Sequence, residues 1–158
     1  MQEMEHHNIE KIRNNTHTVQ NYLDEVSVNQ PKFIQTLSNY VLDKDVTGKL
    51  TDYSDDIVIV AFSAEWCKDC HRNIPILHHI SDTTGIEVRV FGHLMRDVKN
   101  KDKRWRIPPS PVEVEEFNVG KIPLIVIMNM QGKQLGRIVE NPPEGKTLEE
   151  TILNFLES

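Results

Sequence analysis

Cys67 and Cys70 are the only cysteines of this chain, and two residues separate them in Trp66-Cys67-Lys68-Asp69-Cys70-His71. A thiolate is a strong nucleophile, and a second thiol one helical turn away can displace whatever the first has bound. Such a pair can therefore pass between dithiol and disulfide. Cys67 is the candidate nucleophile and Cys70 the candidate resolving group. Two cysteines cannot staple a domain, so the pair is free for chemistry, and two inert buried thiols would not account for this spacing at this place.

The place is a seam between two patterns. Before the pair, Ile57-Val58-Ile59-Val60-Ala61-Phe62 is a continuous apolar run of strand length, rich in β-branched residues. Such runs suit a strand covered on both faces. After it, Cys70, Ile74, Leu77 and Ile80 recur at helical spacing. The cysteines thus open a helix, where free N–H groups and the positive dipole end favour an anion. Lys68 should lower the Cys67 pKa further, whereas Asp69 acts in the opposite sense. Trp66 has an amphipathic ring that either covers the thiols and meets substrate or serves as a core aromatic.

The other elements follow from local signals. Ile9, Ile12, Thr16, Val19, Leu23 and Val26 form one apolar stripe, expected as a single helix packed on the rest of the chain. Pro31 opens a second helix ahead of Phe33, Ile34, Leu37 and Val41. Thr47 to Asp56 is polar and is expected to be a lead-in without regular structure. Gly85 ends the helix begun at the cysteines, and Glu87–Phe91 reads as a strand, giving a right-handed βαβ unit with the dicysteine at the carboxyl end of its first strand. Ser110-Pro111-Val112-Glu113 predicts an N-cap, first-turn proline and capping-box glutamate for a short helix to about Phe117. Leu124–Met128, a turn with Gly132, and Gln134–Val139 read as a hairpin. Thr147-Leu148-Glu149-Glu150 is a second capping box, opening a terminal helix. The sum is an α/β architecture with a mixed sheet and helices on both faces. The expected division is 1–46, an N-terminal helical extension packing on the domain, and 47–158, the domain itself.

Composition narrows the class. With 158 residues, 38% hydrophobic and 27% charged, the chain can bury a core without staples, and nothing approaches a membrane span. A net charge of −6 argues against general nucleic-acid affinity. Acidic residues near the start and the absence of an apolar run there point to no signal peptide, hence to the cytoplasm. In a reducing compartment a Cys-x-x-Cys is redox-active or metal-binding rather than structural.

From about Thr47 to Ser158 the chain resembles the thioredoxin family. The resemblance lies in Phe62-Ser63-Ala64-Glu65-Trp66-Cys67-Lys68-Asp69-Cys70, in Pro75 within the following helix, in Lys121-Ile122-Pro123 ahead of an apolar strand, and in the Gly132 hairpin. It implies a thioredoxin fold and a thiol–disulfide oxidoreductase with no cofactor beyond the Cys67–Cys70 disulfide. It implies that Pro123 is the family's cis-proline, with the Ile122 backbone beside Cys67 where a substrate segment can pair as an added strand. Implied partners are protein or small-molecule disulfides and an electron-donating reductase, with neither nucleic acid nor membrane. The departures are informative. Lys68-Asp69 stands where thioredoxin proper has Gly-Pro, and Ser63 replaces an aromatic residue. Ala61 stands where the family buries a proton-accepting aspartate, so deprotonation of Cys70 must use water or another group, with Asp69 and Glu65 near in sequence.

Other readings of the same residues are possible. Cys67-Lys68-Asp69-Cys70-His71 satisfies the c-type haem attachment pattern, with Met95, Met128 or Met130 as a conceivable distal ligand. Zinc could use the cysteines with two of His71, His78 and His79, in strained geometry. A binding module or redox sensor without turnover is the competing functional class. The basic stretch from Arg96 to Arg106, which includes Trp105, is expected to be a solvated face or a docking surface for an acidic partner.

Overall fold

The computed structural model describes residues 6–95, 105 and 109–158. In chain order the elements are α1 (Ile9–Asn15), β1 (His17–Thr18), α2 (Val19–Val26), α3 (Lys32–Asn39), α4 (Lys44–Thr51), β2 (Ile57–Phe62), α5 (Lys68–Thr84), β3 (Glu87–Phe91), α6 (Glu113–Glu116), β4 (Leu124–Asn129), β5 (Gln134–Val139) and α7 (Leu148–Glu157). The strands form one sheet in the order β1-β3-β2-β4-β5. β2 runs parallel to β3 and antiparallel to β4, β4 pairs antiparallel with β5, and β1 pairs antiparallel with β3. The sheet is therefore mixed.

Every residue of β2 is buried, as the unbroken apolar run requires for a strand covered on both faces. Phe117, just after α6, closes an aromatic cluster with Phe62 and Phe91, whose rings stack at 4.8 Å. The long helix α5 packs against α2, α3, α4 and α7, so the helix that begins at the cysteines is also the hub of the helical layer. Pro75 lies within it, and Gly85 ends it at φ 81, a left-handed position that suits glycine. The capping box of α7 forms as expected, with Thr147 and Glu150 exchanging backbone and side-chain hydrogen bonds.

The N-terminal stripe is buried, but not as one helix. Ile12, Val19, Leu23 and Val26 all reach the core. Between them the chain leaves α1 at Thr16 in an extended conformation, pairs His17 and Thr18 with Val90 and Arg89, and restarts as α2 with the Thr18 side chain accepting from the Asn21 N–H. Threonine hydroxyls offer the backbone local partners that compete with a continuous helix. Thr16 Oγ1 bonds the Ile12 carbonyl at 2.6 Å, and the free edge of β3 supplies the strand pairing. Arg89 secures the break: its guanidinium donates to Thr16 Oγ1 at 2.8 Å and to the carbonyls of Arg13 and Thr16 at 2.9 Å each.

Two other local expectations fail. The stretch from Thr47 to Asp56 is not an irregular lead-in, since it contains the last five residues of α4, and the division expected at 46/47 falls inside that helix. Asp43 caps α4 through the N–H groups of Asp45 and Val46, and Leu50 is wholly buried. Gly48 has open space around it, so it costs only about 1 kcal/mol of helix propensity, less than burying Leu50 returns. At α6, Ser110 does not cap. Its hydroxyl bonds the Met95 backbone, accepting at 2.7 Å and donating at 3.1 Å, while Glu113 takes the Asn15 amide at 2.7 Å. Long-range partners outcompete the local box. The basic residues 96–104 and 106 lie outside the described residues.

Replacing Arg89 with alanine removes three charge-assisted donors from the carboxyl end of α1 and should cost about 2 kcal/mol. A urea unfolding midpoint no lower than that of the parent would show that the break is held by other contacts.

Candidate functional site

Both cysteines are buried free thiols at the seam between β2 and α5. Cys67 occupies the N-cap position of α5 in an extended conformation, and its Sγ accepts the Cys70 backbone N–H at 3.2 Å. Sulfur thus takes the place that a serine or aspartate oxygen takes at other helix starts. The Cys67 thiol also points at the Ile122 carbonyl, 3.7 Å away, and the Ile122–Pro123 peptide is cis. The structure therefore brings Cys67, Cys70, Ile122 and Pro123 together.

The two thiols are pushed apart electrostatically. The Cys67 pKa is lowered, chiefly by the hydrogen bond with the Cys70 side chain and then by the N–H groups of Cys70 and Asp69, against the opposing effects of burial and of the Asp69 carboxylate. Lys68, expected to contribute, is exposed and is not among the main causes. Cys70 is raised well above the ordinary thiol range, first by burial and then by Cys67, with the Ser63 hydroxyl and the Ala64 backbone pulling it back. Of the two, Cys67 ionises the more readily and Cys70 holds its proton the more tightly. Neither Asp69 nor Glu65 is a main influence on Cys70. The hydroxyl of Ser63 is, a role that its place as a departure from the family pattern does not announce.

Two further residues, with no local signal of chemistry, join the site. Tyr22 of α2 has no exposed surface, and its hydroxyl lies 2.9 Å from Ser63 Oγ, beneath the cysteines. Trp105, counted with the basic stretch, is buried, donates its indole N–H to the Gly120 carbonyl, and stacks on Trp66 with ring centroids 6.0 Å apart. Trp66 itself is 47% exposed, so it belongs to the surface of the site rather than to the core. A groove of about 340 Å³ runs beside Cys67 between these tryptophans and Ile122, with Lys68, Asp69, Lys121 and Glu140 on its rim. Asn73, fully buried on α5, holds the Glu140–Asn141 turn to the helix by donating its amide to Glu140 O and Asn141 Oδ1, 3.0 Å each. The signal for Tyr22 would have been its place on the buried side of the N-terminal stripe. For Trp105 no local signal exists, because its partners lie far away in sequence.

The histidines have other employment. His71 Nε2 contacts the Glu65 carbonyl at 2.6 Å while its ring packs edge-on against Phe33, a poor setting for an axial haem ligand. Met128 is buried within β4. His79 contacts the Leu37 carbonyl at 2.6 Å, and among the described residues no cluster of three His, Cys, Asp or Glu side chains is arranged to hold a metal. Among the described residues, too, no helix is long and apolar enough to cross a membrane.

Comparison with known proteins yields a family match and structural likenesses. The thioredoxin family model matches residues 16–152. No curated protein matches the sequence significantly. Among solved structures, a protein of unknown function from Pseudomonas aeruginosa superposes with a TM-score of 0.62 at 18% identity, covering 96% of each chain. An HIV epitope scaffold gives 0.59 at 18% identity, over 93% of this chain and 87% of the other. The reduced thioredoxin pre-protein of Schistosoma mansoni gives 0.41 at 19% identity, over 73% and 90%. The family match spans most of the chain, begins at the break between α1 and β1, and takes in β1, α2 and the dicysteine turn, so this chain belongs to the thioredoxin family.

Proposed function

We propose that the chain is a thiol–disulfide oxidoreductase in which Cys67 attacks and Cys70 resolves. The observation that carries the reading is the Cys67 sulfur at the first turn of α5, accepting the Cys70 N–H at 3.2 Å, with its pKa lowered while that of Cys70 is raised. Attack needs a thiolate that is accessible, and resolution needs a thiol that stays protonated until the mixed disulfide has formed. The two environments divide those tasks.

In the forward cycle Cys67 thiolate attacks one sulfur of a substrate disulfide, and the other sulfur leaves with the electron pair of the broken bond. Cys70 then attacks Cys67 Sγ. The second substrate sulfur departs, and the Cys67–Cys70 disulfide remains. Two electrons have passed to the substrate. An electron-donating reductase restores the dithiol, and no cofactor other than the pair is required. The substrate segment lies in extended form along Ile122, whose carbonyl faces Cys67, and against the exposed ring of Trp66. Substrates are protein or small-molecule disulfides, and the setting is a reducing cytoplasm, where such a pair contributes to redox homeostasis.

Two measurements test this. Alkylation by iodoacetamide should label Cys67 first, with a pH midpoint below that of an ordinary thiol, because a lowered pKa places thiolate at lower pH; Cys70 should react only at much higher pH. Equal midpoints would refute the division of roles. In a disulfide-reduction assay, Cys67→Ser should abolish turnover, a loss of at least about a hundredfold, and Cys70→Ser should accumulate a mixed disulfide on Cys67. A parent protein that binds disulfides without reducing them would instead be a sensor or binding module.

A further inference from the structure

The buried hydroxyls under the dicysteine form a chain. Ser63 follows β2 directly, and its backbone is fixed by its N–H to the Phe91 carbonyl at 2.9 Å. Its Oγ lies 2.9 Å from the Tyr22 hydroxyl, and Ser63, Tyr22 and Cys70 are all fully buried. The same hydroxyl favours the thiolate of the buried Cys70. Tyr22 reaches this position because both neighbours are small. Ser63 stands where the family places an aromatic residue, and at Gly92 any Cβ would collide with the Tyr22 ring. Phe33 packs edge-on against that ring at 6.2 Å.

The protonation of Tyr22 sets the direction of the chain. Its pKa is raised far above the ordinary phenol range, first by burial, so the phenol always carries a hydrogen. If that hydrogen goes to Ser63 Oγ, the serine's own hydrogen is free for sulfur. The reverse arrangement would present a lone pair to a developing thiolate, which is repulsive. Of the titratable groups around this chain, Cys67 acts on Cys70, Glu65 in the β2–α5 turn acts on Tyr22, and Asp69 and His71 flank Cys70 in sequence. Asp69 acts on Cys67, and His93 lies edge-on to the Tyr22 ring and pairs with Glu25.

We infer that Ser63 is the hydroxyl that stabilises the Cys70 thiolate during resolution and that Tyr22, from the N-terminal segment, is the positioning residue that turns it toward the sulfur. This rests on the oxidoreductase reading and supplies what Ala61 cannot. In the step concerned, Cys70 loses its proton and attacks Cys67 Sγ, the bond from Cys67 to the substrate sulfur breaks, and that sulfur takes the electron pair. The proton released by Cys70 ends on it, so mixed disulfide becomes protein disulfide plus substrate thiol. Neither Ser63 nor Tyr22 is consumed or changes charge overall.

Ellman's reagent reads the two thiols separately in the full chain. Cys67 displaces the first thionitrobenzoate and Cys70 the second, by attacking the Cys67 sulfur. Loss of the first phase in the parent protein would sink the oxidoreductase reading; the second phase alone reports on Ser63. Ser63→Ala should slow the second phase about tenfold at neutral pH and raise its pH midpoint by about one unit, since removing a donor from a thiolate raises its pKa. Tyr22→Phe, which keeps the ring and so keeps the packing, should change both in the same direction. The double variant should be no slower than Ser63→Ala, because Tyr22 acts through Ser63. A second phase unchanged in both variants, or slowed with no movement of the pH midpoint, would overturn the inference and leave these hydroxyls a packing role.

Discussion

The structure depends on one hydrogen bond, from the Cys70 N–H to the Cys67 sulfur at the start of α5. It requires that β2 end at a fixed height and that α5 begin at a fixed angle, because a sulfur displaced by an ångström or so loses the amide. The all-buried β2, held in register between β3 and β4, fixes the first. The packing of α5 on α2, α3, α4 and α7 fixes the second. Most of the hydrophobic core therefore serves the placement of one atom pair. The same burial makes the two thiols unequal, since only Cys67 gains enough donors to offset the loss of water.

The segment before residue 57 is part of this arrangement. β1 extends the sheet, α3 and α4 brace α5, and Tyr22 enters the floor of the site. Its attachment is polar as well as apolar. Arg89 closes the carboxyl end of α1, Arg13 pairs with Glu87 at 2.8 Å, and the buried Glu149 of α7 accepts the Tyr40 hydroxyl at 2.6 Å and the Asp43 N–H at 2.9 Å. A carboxylate so deep in the protein is tolerable because donors meet both of its oxygens. The two groove tryptophans belong to the same pattern, with Trp66 beside the cysteine and its partner Trp105 arriving from beyond β3.

What was legible in the sequence was local. β2, the opening of α5 at the cysteines, its end at Gly85, the β4–β5 hairpin and the capping box at Thr147 each carry their signal within a few residues, and each formed. The geometry of the candidate site was legible to the same depth, in that Cys67, Cys70, Ile122 and Pro123 meet. What could not be read depended on partners far along the chain. The helix expected through Thr16 breaks because β3 offers an edge and Arg89 offers donors. Ser110 leaves its expected cap for Met95. α4 forms across a glycine because Leu50 finds the core. Nothing near Ser63 in sequence announces that a tyrosine 41 positions away will meet its hydroxyl.

The route of the first described residues bears on how the molecule behaves in a crowded solution. The His7 N–H bonds the Gly132 carbonyl at 2.8 Å and His6 bridges Lys133, at the hairpin end of β5; eleven residues after His6, the chain pairs with β3 at the opposite margin of the sheet. One strap thus touches both rims. A bare strand margin recruits other chains by offering a row of unpaired amides and carbonyls. Here the β3 margin ends in a strand only two residues long, too short to seed another. The β5 margin is interrupted by a register shift opposite Ile127 and Met128 and carries Lys133 and Arg137. A short strand at one rim, and a register shift with basic side chains at the other, are the devices by which a sheet edge resists the addition of another chain.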